Sequence, residues 1–160
     1  MWRVGPILLL VACAEGASAP CQADGANPGL DVAPADVQFG AFADGDPLPV
    51  GNPPQGGAPY SPLHLRIDGL TSLREGVEIE LYGVDLDDGS DLGELAAPSG
   101  CVCANVGDSA GMWIVADLHF RYFGWWLDDL PGRTAEITVV VRDVDGGEVQ
   151  TSLIGTLSAM

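Results

Sequence analysis

The sequence predicts an all-β fold, an antiparallel β-sandwich, on the basis of three observations. The 160 residues include 22 glycines and 12 prolines, which favours short elements joined by many turns over long helices. Hydrophobic residues make up 47% of the chain, which is enough for a packed core in one domain of this length. Apolar and polar residues alternate with a period of two in several segments, as in strands with one buried face.

The chain begins with a pattern for export. Arg3 precedes a short apolar run at residues 4–12. This run is too short for a membrane-spanning helix, which needs about 20 apolar residues, but it fits the hydrophobic region of a signal peptide. Cleavage could come directly after this run or after Ala19, where Pro20 would become the first residue. In a third interpretation, residues 4–12 form a buried strand.

The four residues Leu10-Val11-Ala12-Cys13 resemble the lipobox of bacterial lipoproteins. The resemblance implies a signal peptide at residues 1–12, cleavage before Cys13 and lipidation of the Cys13 thiol. Ala14 follows the cysteine, where aspartate is the usual signal for retention at the inner membrane. The resemblance therefore implies transport to the outer membrane or the cell surface. Secretion without an anchor, to the periplasm or beyond, is the alternative.

Residues 13–36 are small and polar and are interrupted by glycine and proline, so they are predicted to form a flexible tether. The domain itself is expected at residues 37–160. It opens with one or two short strands within residues 39–50, around an Asp-Gly-Asp-Pro turn. The run Asn-Pro-Pro-Gln-Gly-Gly at residues 52–57 is predicted to be a loop.

Apolar and polar residues alternate at residues 63–67, 77–81, 112–121 and 135–142, which predicts four further strands. Residues 149–154, with an extension as far as Leu157 as the alternative, are predicted to be the return strand of a hairpin. Glu78 and Glu80 are expected to face water. The sequence Asp-Val-Asp-Gly-Gly at residues 143–147 is a strong hairpin signal between the last two strands. Because no segment has the pattern of an amphipathic helix, this spacing predicts an Ig-like antiparallel β-sandwich of about seven strands.

Two resemblances accompany the strand pattern. The corner Leu130-Pro-Gly-Arg133, followed by a long hairpin, resembles the last two strands of many Ig-like modules. Residues 44–69 are similar to small uncharacterised bacterial envelope lipoproteins that carry a Pro-Gln-Gly-Gly loop before a strand. This chain has Pro54-Gln-Gly-Gly57 there, with Ala58-Pro-Tyr60 between the glycines and the strand. The second resemblance implies no activity.

The charge of the chain excludes two kinds of partner contact. Six basic residues against 23 acidic residues give a net charge of −17. Nucleic-acid binding needs clustered cations that neutralise phosphates, so no nucleic-acid partner is expected. The same charge disfavours electrostatic docking to anionic lipid headgroups. The lipid anchor is therefore the expected contact with a membrane.

Three cysteines remain when the lipidated one is set aside: Cys21, Cys101 and Cys103. An oxidising compartment makes one disulfide between two of them the expected arrangement, and the sequence does not choose the pairing. A bridge from Cys21 would fasten the tether to the domain. Alternatively, Cys101 and Cys103 would share one face of a strand and bind copper or zinc together with His64 and His119. The spacing of these residues matches no zinc-finger pattern.

Residues Gly107-Asp-Ser-Ala-Gly111 fit the serine-nucleophile motif G-x-S-x-G. That motif works on a sharp turn between a strand and a helix inside an α/β sheet. This sequence shows no alternation of strands and helices. Residues 107–111 are therefore predicted to be a turn between strands, and the chain is predicted not to be an enzyme.

Four aspartates form a candidate calcium site: Asp85, Asp87, Asp88 and Asp91. Calcium binds about six to eight oxygen ligands, and carboxylates at alternating positions suit it. The register departs from an EF-hand loop, because the glycine comes one place early and the closing glutamate is absent. The alternative is a solvated acidic loop, with no cofactor in the protein.

Trp125 and Trp126 are candidate ligand contacts. Neighbouring residues of a strand point to opposite faces, so both rings cannot enter one core and one is expected to be exposed. An exposed ring could stack on a sugar or contact a hydrophobic partner. The sequence as a whole predicts a non-catalytic, lipid-anchored envelope protein with a binding or structural/adhesion role and a protein or glycan partner. The alternative is a calcium- or metal-binding surface module.

Overall fold

The computed structural model describes residues 29–68, 77–96, 100–106, 109–143 and 146–160. The strands of the described chain are β1 (Gly29–Pro34), β2 (Pro47–Val50), β3 (Tyr60–Asp68), β4 (Val77–Asp85), β5 (Asp91–Ala96), β6 (Gly100–Val106), β7 (Ser109–Arg121), β8 (Thr134–Asp143) and β9 (Glu148–Ala159). A single turn of 3-10 helix, Leu127–Asp129, lies between β7 and β8. Nearly all regular structure is strand, so the all-β prediction is confirmed. None of the described residues belongs to a helix with the length and apolarity that crossing a membrane requires.

The strands form one hydrogen-bonded sheet. Their order is β1-β3-β7-β5-β4-β8-β9-β2, and β6 pairs with β7 beside this path. The long strand β7 pairs with β6 along its first half and with β5 at its end. Strand β2 runs parallel to β9, whereas the other described pairs are antiparallel. The described residues therefore contain nine strands in a mixed sheet, where the sequence predicted about seven antiparallel strands.

The two ends of the strand order approach each other. Gly51, directly after β2, forms an isolated antiparallel bridge with Tyr60 at the start of β3, and β1 packs beside β9. The sheet therefore curls around one hydrophobic core. The largest fully buried side chains of that core are Tyr122, Phe120, Leu48, Leu63, Leu65, Ile67, Leu92, Leu118, Leu130, Ile137 and Leu157.

The four strands predicted from alternation are present as β3, β4, β7 and β8, and the predicted return strand is present as β9. Glu78 and Glu80 of β4 are exposed, as the alternation predicts. Strands β8 and β9 pair in antiparallel register as far as Arg142 and Glu148, which confirms the hairpin. The predicted short strand before the proline-rich loop is β2. The sequence pattern did not predict β5 or β6.

The domain begins earlier than predicted. Residues Gly29–Pro34 form β1, and all six of them pair with β3. Val32 and Ala33 are buried against the core. The prediction of a flexible tether is therefore wrong for residues 29–34, because two small apolar side chains and a full ladder of backbone pairs bind this segment to the sheet. Residues 13–28 lie outside the described part of the chain.

Strand β2 stands at one end of the strand order. Leu48 and Val50 are fully buried, and Pro47 and Pro49 alternate with them. The carbonyl oxygen of Val50 accepts a hydrogen bond from the backbone N–H of Met160, directly after β9, at 2.9 Å. Because backbone groups of a strand alternate in direction, the two even-numbered residues point their backbone groups at β9 and the prolines point theirs away.

Candidate functional site

An open groove lies at one end of the sheet, between two loops. One wall is the glycine loop (residues 52–59), which joins β2 to β3, and the other is the tryptophan loop (residues 122–130), which joins β7 to β8. The groove has a volume of about 620 Å³. It is lined by Asn52, Gly56, Gly57, Ala58, Pro59, Gly124, Trp125, Trp126, Leu127 and Asp128.

Tyr122 fastens the two walls together at their base. Its backbone N–H donates to the carbonyl oxygen of Pro59 at 2.9 Å. Its phenol oxygen lies 2.7 Å from the hydroxyl oxygen of Ser61, and both side chains are fully buried. Burial raises the pKa of Tyr122 far above its ordinary value, so the phenol stays neutral. The base of the groove is therefore a rigid hydrogen-bonded connection.

The glycine loop is closed by backbone hydrogen bonds. Gly51 and Tyr60 exchange two of them, at 3.0 and 2.9 Å, and the N–H of Gly56 donates to the carbonyl of Pro53 at 2.9 Å. Gly56 and Gly57 have φ angles of +78° and +123°, which other residues rarely adopt. This explains why the turn is made of two glycines, and it confirms the prediction of a loop here.

The two tryptophans take different positions in the tryptophan loop. Trp125 packs partly against the core, and its indole N–H donates to the carbonyl oxygen of Asp91 at 3.1 Å. The side chain of Trp126 is 78% exposed at the groove. The prediction that one ring is exposed is confirmed. Its stated reason is wrong, because the pair lies in a loop that leads into the 3-10 helix and not on a strand.

The acidic loop (residues 85–91) joins β4 to β5 beside the tryptophan loop. Each of its four carboxylates accepts a hydrogen bond from a backbone N–H. The donors are Asp87 for Asp85, Ser90 for Asp88, Gly93 for Asp91, and Thr134 for Asp87. Hydrogen bonds from Ser90, and after them Arg133, lower the pKa of Asp88. Three of the carboxylates therefore form local turns, and the fourth, Asp87, ties the loop to the start of β8.

Arg133, directly before β8, connects the acidic loop to the tryptophan loop. Its guanidinium forms an ion pair with the fully buried Asp85 and lies 3.4 Å from Asp88. On the other side it covers the ring of Trp125, 4.5 Å from the ring centroid, and its Nε donates to the carbonyl oxygen of Asp129 at 2.8 Å. The hydrogen bond with Asp85 raises the pKa of Arg133 above its ordinary value, so the guanidinium stays charged.

The structure does not assemble the predicted calcium site. In the described ranges, no group of three or more His, Cys, Asp and Glu side chains is placed to hold a metal ion. The carboxylates of Asp85 and Asp88 face Arg133, and those of Asp87 and Asp91 bind backbone N–H groups. The sequence analysis predicted that a bound calcium ion would neutralise these carboxylates, and it did not identify Arg133 as their partner. The arginine is 48 residues from Asp85, and only the fold brings the two together.

The predicted cysteine and histidine sites are only partly described. Cys13 and Cys21 lie outside the described residues, and lipidation and disulfide pairing stay predictions. Cys101 and Cys103 lie on β6, as the face-sharing argument requires. The ring of His64 stacks on Phe39 at 4.0 Å, and that of His119 lies 4.5 Å from the ring of Tyr60. Each histidine is thus engaged with a separate aromatic ring. Burial lowers the pKa of His64.

The serine motif lies at the junction of two strands. Val106 of β6 pairs with Ser109 of β7 in antiparallel register, and the chain continues from Ser109 directly into β7. Gly107 and Asp108 lie outside the described residues. The backbone on either side agrees with a turn between strands, and a strand begins at Ser109 where the G-x-S-x-G motif of an α/β sheet requires a helix.

Comparisons with known proteins give a likeness in structure. No family model matches the chain, and no curated protein sequence matches it. Among solved structures, the chain is similar to the crystal structure of CopC from Methylosinus trichosporium OB3b. The two share 16% sequence identity with a TM-score of 0.35, over 73% of this chain and 86% of that chain. A likeness at this level carries no argument about function, so the functional conclusion depends on the geometry of the groove.

Proposed function

We propose that this chain is a non-catalytic binding protein of the bacterial envelope, anchored through a lipid on Cys13, and that it binds neutral carbohydrate in the groove. The observation that supports the binding role is the ring of Trp126, which is 78% exposed at the edge of a groove of about 620 Å³. Large aromatic rings are mostly buried in folded proteins, and an exposed one at a cleft is typical of a recognition surface.

The chemistry of the lining suits a sugar. An indole presents a flat apolar face, and a pyranose ring presents C–H groups on its own faces, so the two can stack. Asn52 and Asp128 also line the groove, where the amide of Asn52 can donate hydrogen bonds to and accept them from hydroxyl groups and the carboxylate of Asp128 can accept them. A cleft with an aromatic platform and a few polar groups is a typical small-ligand site.

The charge of the groove favours a neutral ligand. Its lining residues include one charged side chain, Asp128, and no cation. The whole chain carries a net charge of −17. An anionic ligand would meet repulsion and no pairing partner in such a groove. The lining residues contain a single carboxylate and no serine, cysteine or histidine, whereas cleavage of a glycosidic bond canonically uses two carboxylates, which supports a binding role.

The location in the envelope is supported by the amino-terminal sequence alone. The apolar run at residues 4–12 and the lipobox-like sequence before Cys13 carry that part of the proposal. Labelling of growing cells with an alkyne fatty acid, followed by fractionation, tests it. We expect label on the wild-type chain in the membrane fraction and none on Cys13→Ala. Labelling of neither chain would contradict the anchor.

Titration calorimetry with soluble neutral oligosaccharides, chitotetraose and cellotetraose, tests the binding role. We expect binding by at least one of them, weakened about 10-fold or more by Trp126→Ala, because a central aromatic contact dominates such sites. The matched control is Phe123→Ala, since Phe123 lies in the same loop and is 48% exposed but does not line the groove. That variant should bind as wild type does.

Three results would contradict the proposed ligand class. The first is no heat of binding with either oligosaccharide at about 10 mM, well above the millimolar affinity of weak protein–sugar contacts. The second is equal affinity in wild type and Trp126→Ala. The third is tighter binding to the anionic polysaccharide dextran sulfate than to either neutral probe.

A further inference from the structure

We infer that Arg133 is a positioning residue that couples the acidic loop to the aromatic wall of the groove, by holding Trp125 and the 3-10 helix of the tryptophan loop in place. The effect on ligand affinity depends on the proposed function. The coupling itself depends on contacts that exist without any ligand.

On the groove side, Arg133 contacts the wall at two points. Its guanidinium lies over the ring of Trp125, with 4.5 Å between the guanidinium carbon and the ring centroid. Its Nε donates to the carbonyl oxygen of Asp129, the last residue of the 3-10 helix, at 2.8 Å. These contacts bracket Trp126, Leu127 and Asp128, which form the lining between them. A shift of Arg133 therefore moves both ends of this lining segment.

On the other side, Arg133 contacts the acidic loop at two carboxylates of different character. Asp85 is fully buried and pairs with Nη1. Asp88 lies 3.4 Å from the same nitrogen, and its side chain is 53% exposed. The buried partner fixes the position of the guanidinium. Asp88 is in contact with solvent, so protons and dissolved ions can reach its carboxylate.

The acidic loop reaches Trp125 by a second route. The indole N–H donates to the carbonyl oxygen of Asp91, at 3.1 Å, where the acidic loop passes into β5. The ring of Trp125 is therefore held between the guanidinium and the end of the same loop. Movement of the acidic loop would change the contact of Trp125 with Arg133 and its hydrogen bond to Asp91 together. The position of the Trp125 ring therefore depends on the conformation of the acidic loop.

Arginine is the side chain that this position requires. A guanidinium is planar, so it can lie over an indole while its separate N–H groups donate to a carboxylate and a carbonyl. A lysine could retain the charge opposite Asp85, but its ammonium has neither the plane nor the fixed fork of donors. The variant Arg133→Lys therefore separates the ion pair from the positioning contacts.

The coupling can be measured by ¹⁹F NMR of the 5-fluorotryptophan-labelled chain, with resonances assigned through Trp125→Phe and Trp126→Phe. We expect Arg133→Lys and Arg133→Gln to shift or broaden the Trp125 resonance, and Asp88→Asn to do so to a smaller extent. In calorimetry, the two Arg133 variants should bind the better of chitotetraose and cellotetraose about 3- to 10-fold more weakly, as the loss of a cation–π contact and a hydrogen bond predicts.

Arg142→Gln is the matched control, because Arg142 also pairs with two carboxylates of this sheet, Glu80 and Glu148, at the other end of β8. It should leave the Trp125 resonance and the affinity unchanged. The melting temperature shows whether each variant folds. If Arg133→Gln does not fold, Arg133→Lys still tests the coupling, because it retains a positive charge opposite Asp85.

The outcomes separate the two proposals. A folded Arg133→Lys chain with an unmoved Trp125 resonance contradicts the coupling, even when wild type binds carbohydrate. A moved Trp125 resonance with unchanged affinity also contradicts a positioning role. A wild-type chain that binds no carbohydrate while Arg133→Lys moves the Trp125 resonance contradicts the proposed ligand and supports the coupling.

Discussion

Two arginines lie at opposite ends of β8, and each forms an ion pair with two carboxylates. Arg142 bridges Glu80 on β4 and Glu148 on β9, with nitrogen–oxygen distances of 2.7 and 2.6 Å. All three side chains lie on the solvent face of neighbouring strands. Exposed pairs of this kind contribute little to stability, because water and salt screen them.

Arg133 differs from Arg142 in what it pairs with and in what it touches. Its partner Asp85 is fully buried, and the same guanidinium contacts the ring of Trp125 and a backbone carbonyl. One arginine supports a sheet surface, and the other connects two loops beside a groove. Because each arginine pairs with two carboxylates, we expect the burial of Asp85, and not the number of ion pairs, to make Arg133 the more important of the two for stability.

The largest expected effect is the difference between Arg133→Ala and Arg142→Ala. The first leaves the buried carboxylate of Asp85 without its counter-charge, so we expect the melting temperature to fall by about 5 °C or more. The second breaks exposed pairs and should lower the melting temperature by less than about 2 °C. Thermal denaturation followed by circular dichroism measures both. Equal losses would show that the two arginines are equivalent.

The second-largest expected effect is the loss of the hydrogen bond between Tyr122 and Ser61 at the base of the groove. Tyr122→Phe removes the hydroxyl that pairs with Ser61 and leaves a buried oxygen without this partner. We expect a loss of about 1–3 kcal/mol in the free energy of unfolding, measured by urea denaturation. Tyr82→Phe is the control, because Tyr82 is well exposed on β4 and its change should cost less than about 0.5 kcal/mol. A similar loss in both variants would contradict a structural role for the Tyr122 hydroxyl.

A third and smaller effect is the pH dependence of Asp88. Hydrogen bonds from Ser90 and the charge of Arg133 lower its pKa in the folded chain below the ordinary value of 3.8. The carboxylate therefore stabilises the fold above that value, and its contribution is lost as the pH falls through the lower, folded pKa. We expect Asp88→Asn to be less stable than wild type near pH 6 and to approach it near pH 3, within the ordinary titration range of carboxyl groups. A difference that does not change between these pH values would contradict the shift.

The smallest expected effect is that of calcium. Arg133 already supplies a positive charge to the acidic loop, so millimolar calcium should change the wild-type melting temperature by less than about 1 °C. Magnesium at the same concentration controls for ionic strength. A rise of several degrees specific to calcium would restore the hypothesis of a calcium site at residues 85–91.

The fold was predictable where strands carry a local signal. Alternation marks β3, β4, β7 and β8, and the hairpin signal after β8 marks β9 as its partner. Strand β5 has no such mark: Gly93 interrupts it, since any side chain there would overlap the backbone carbonyl of Arg121 on β7. The pairing of β1 with β3 joins residues that are 29 to 39 positions apart in sequence, and no local pattern reveals it.

The candidate site was predictable only in part, for the same reason. The exposure of one ring of the Trp125–Trp126 pair was predicted from the adjacency of the two residues, although the strand assumed for them is a loop. The contact of Arg133 with Asp85 follows from the register of β4 and β8, which pairs Asp85 with Ala135 and so brings Arg133 within reach. The groove likewise joins two loops that are far apart in sequence, and its existence depends on the curl of the sheet.

The prolines of β2 have a consequence for how folded molecules meet one another. Positions 47 and 49 point their backbone away from β9, and neither proline has an N–H to offer. The next donor that points outward, at Gly51, is already used by Tyr60. A strand from another molecule would therefore find acceptors but no donors along this border and could not extend the ladder. The two prolines thus protect this border of the folded chain against edge-to-edge aggregation.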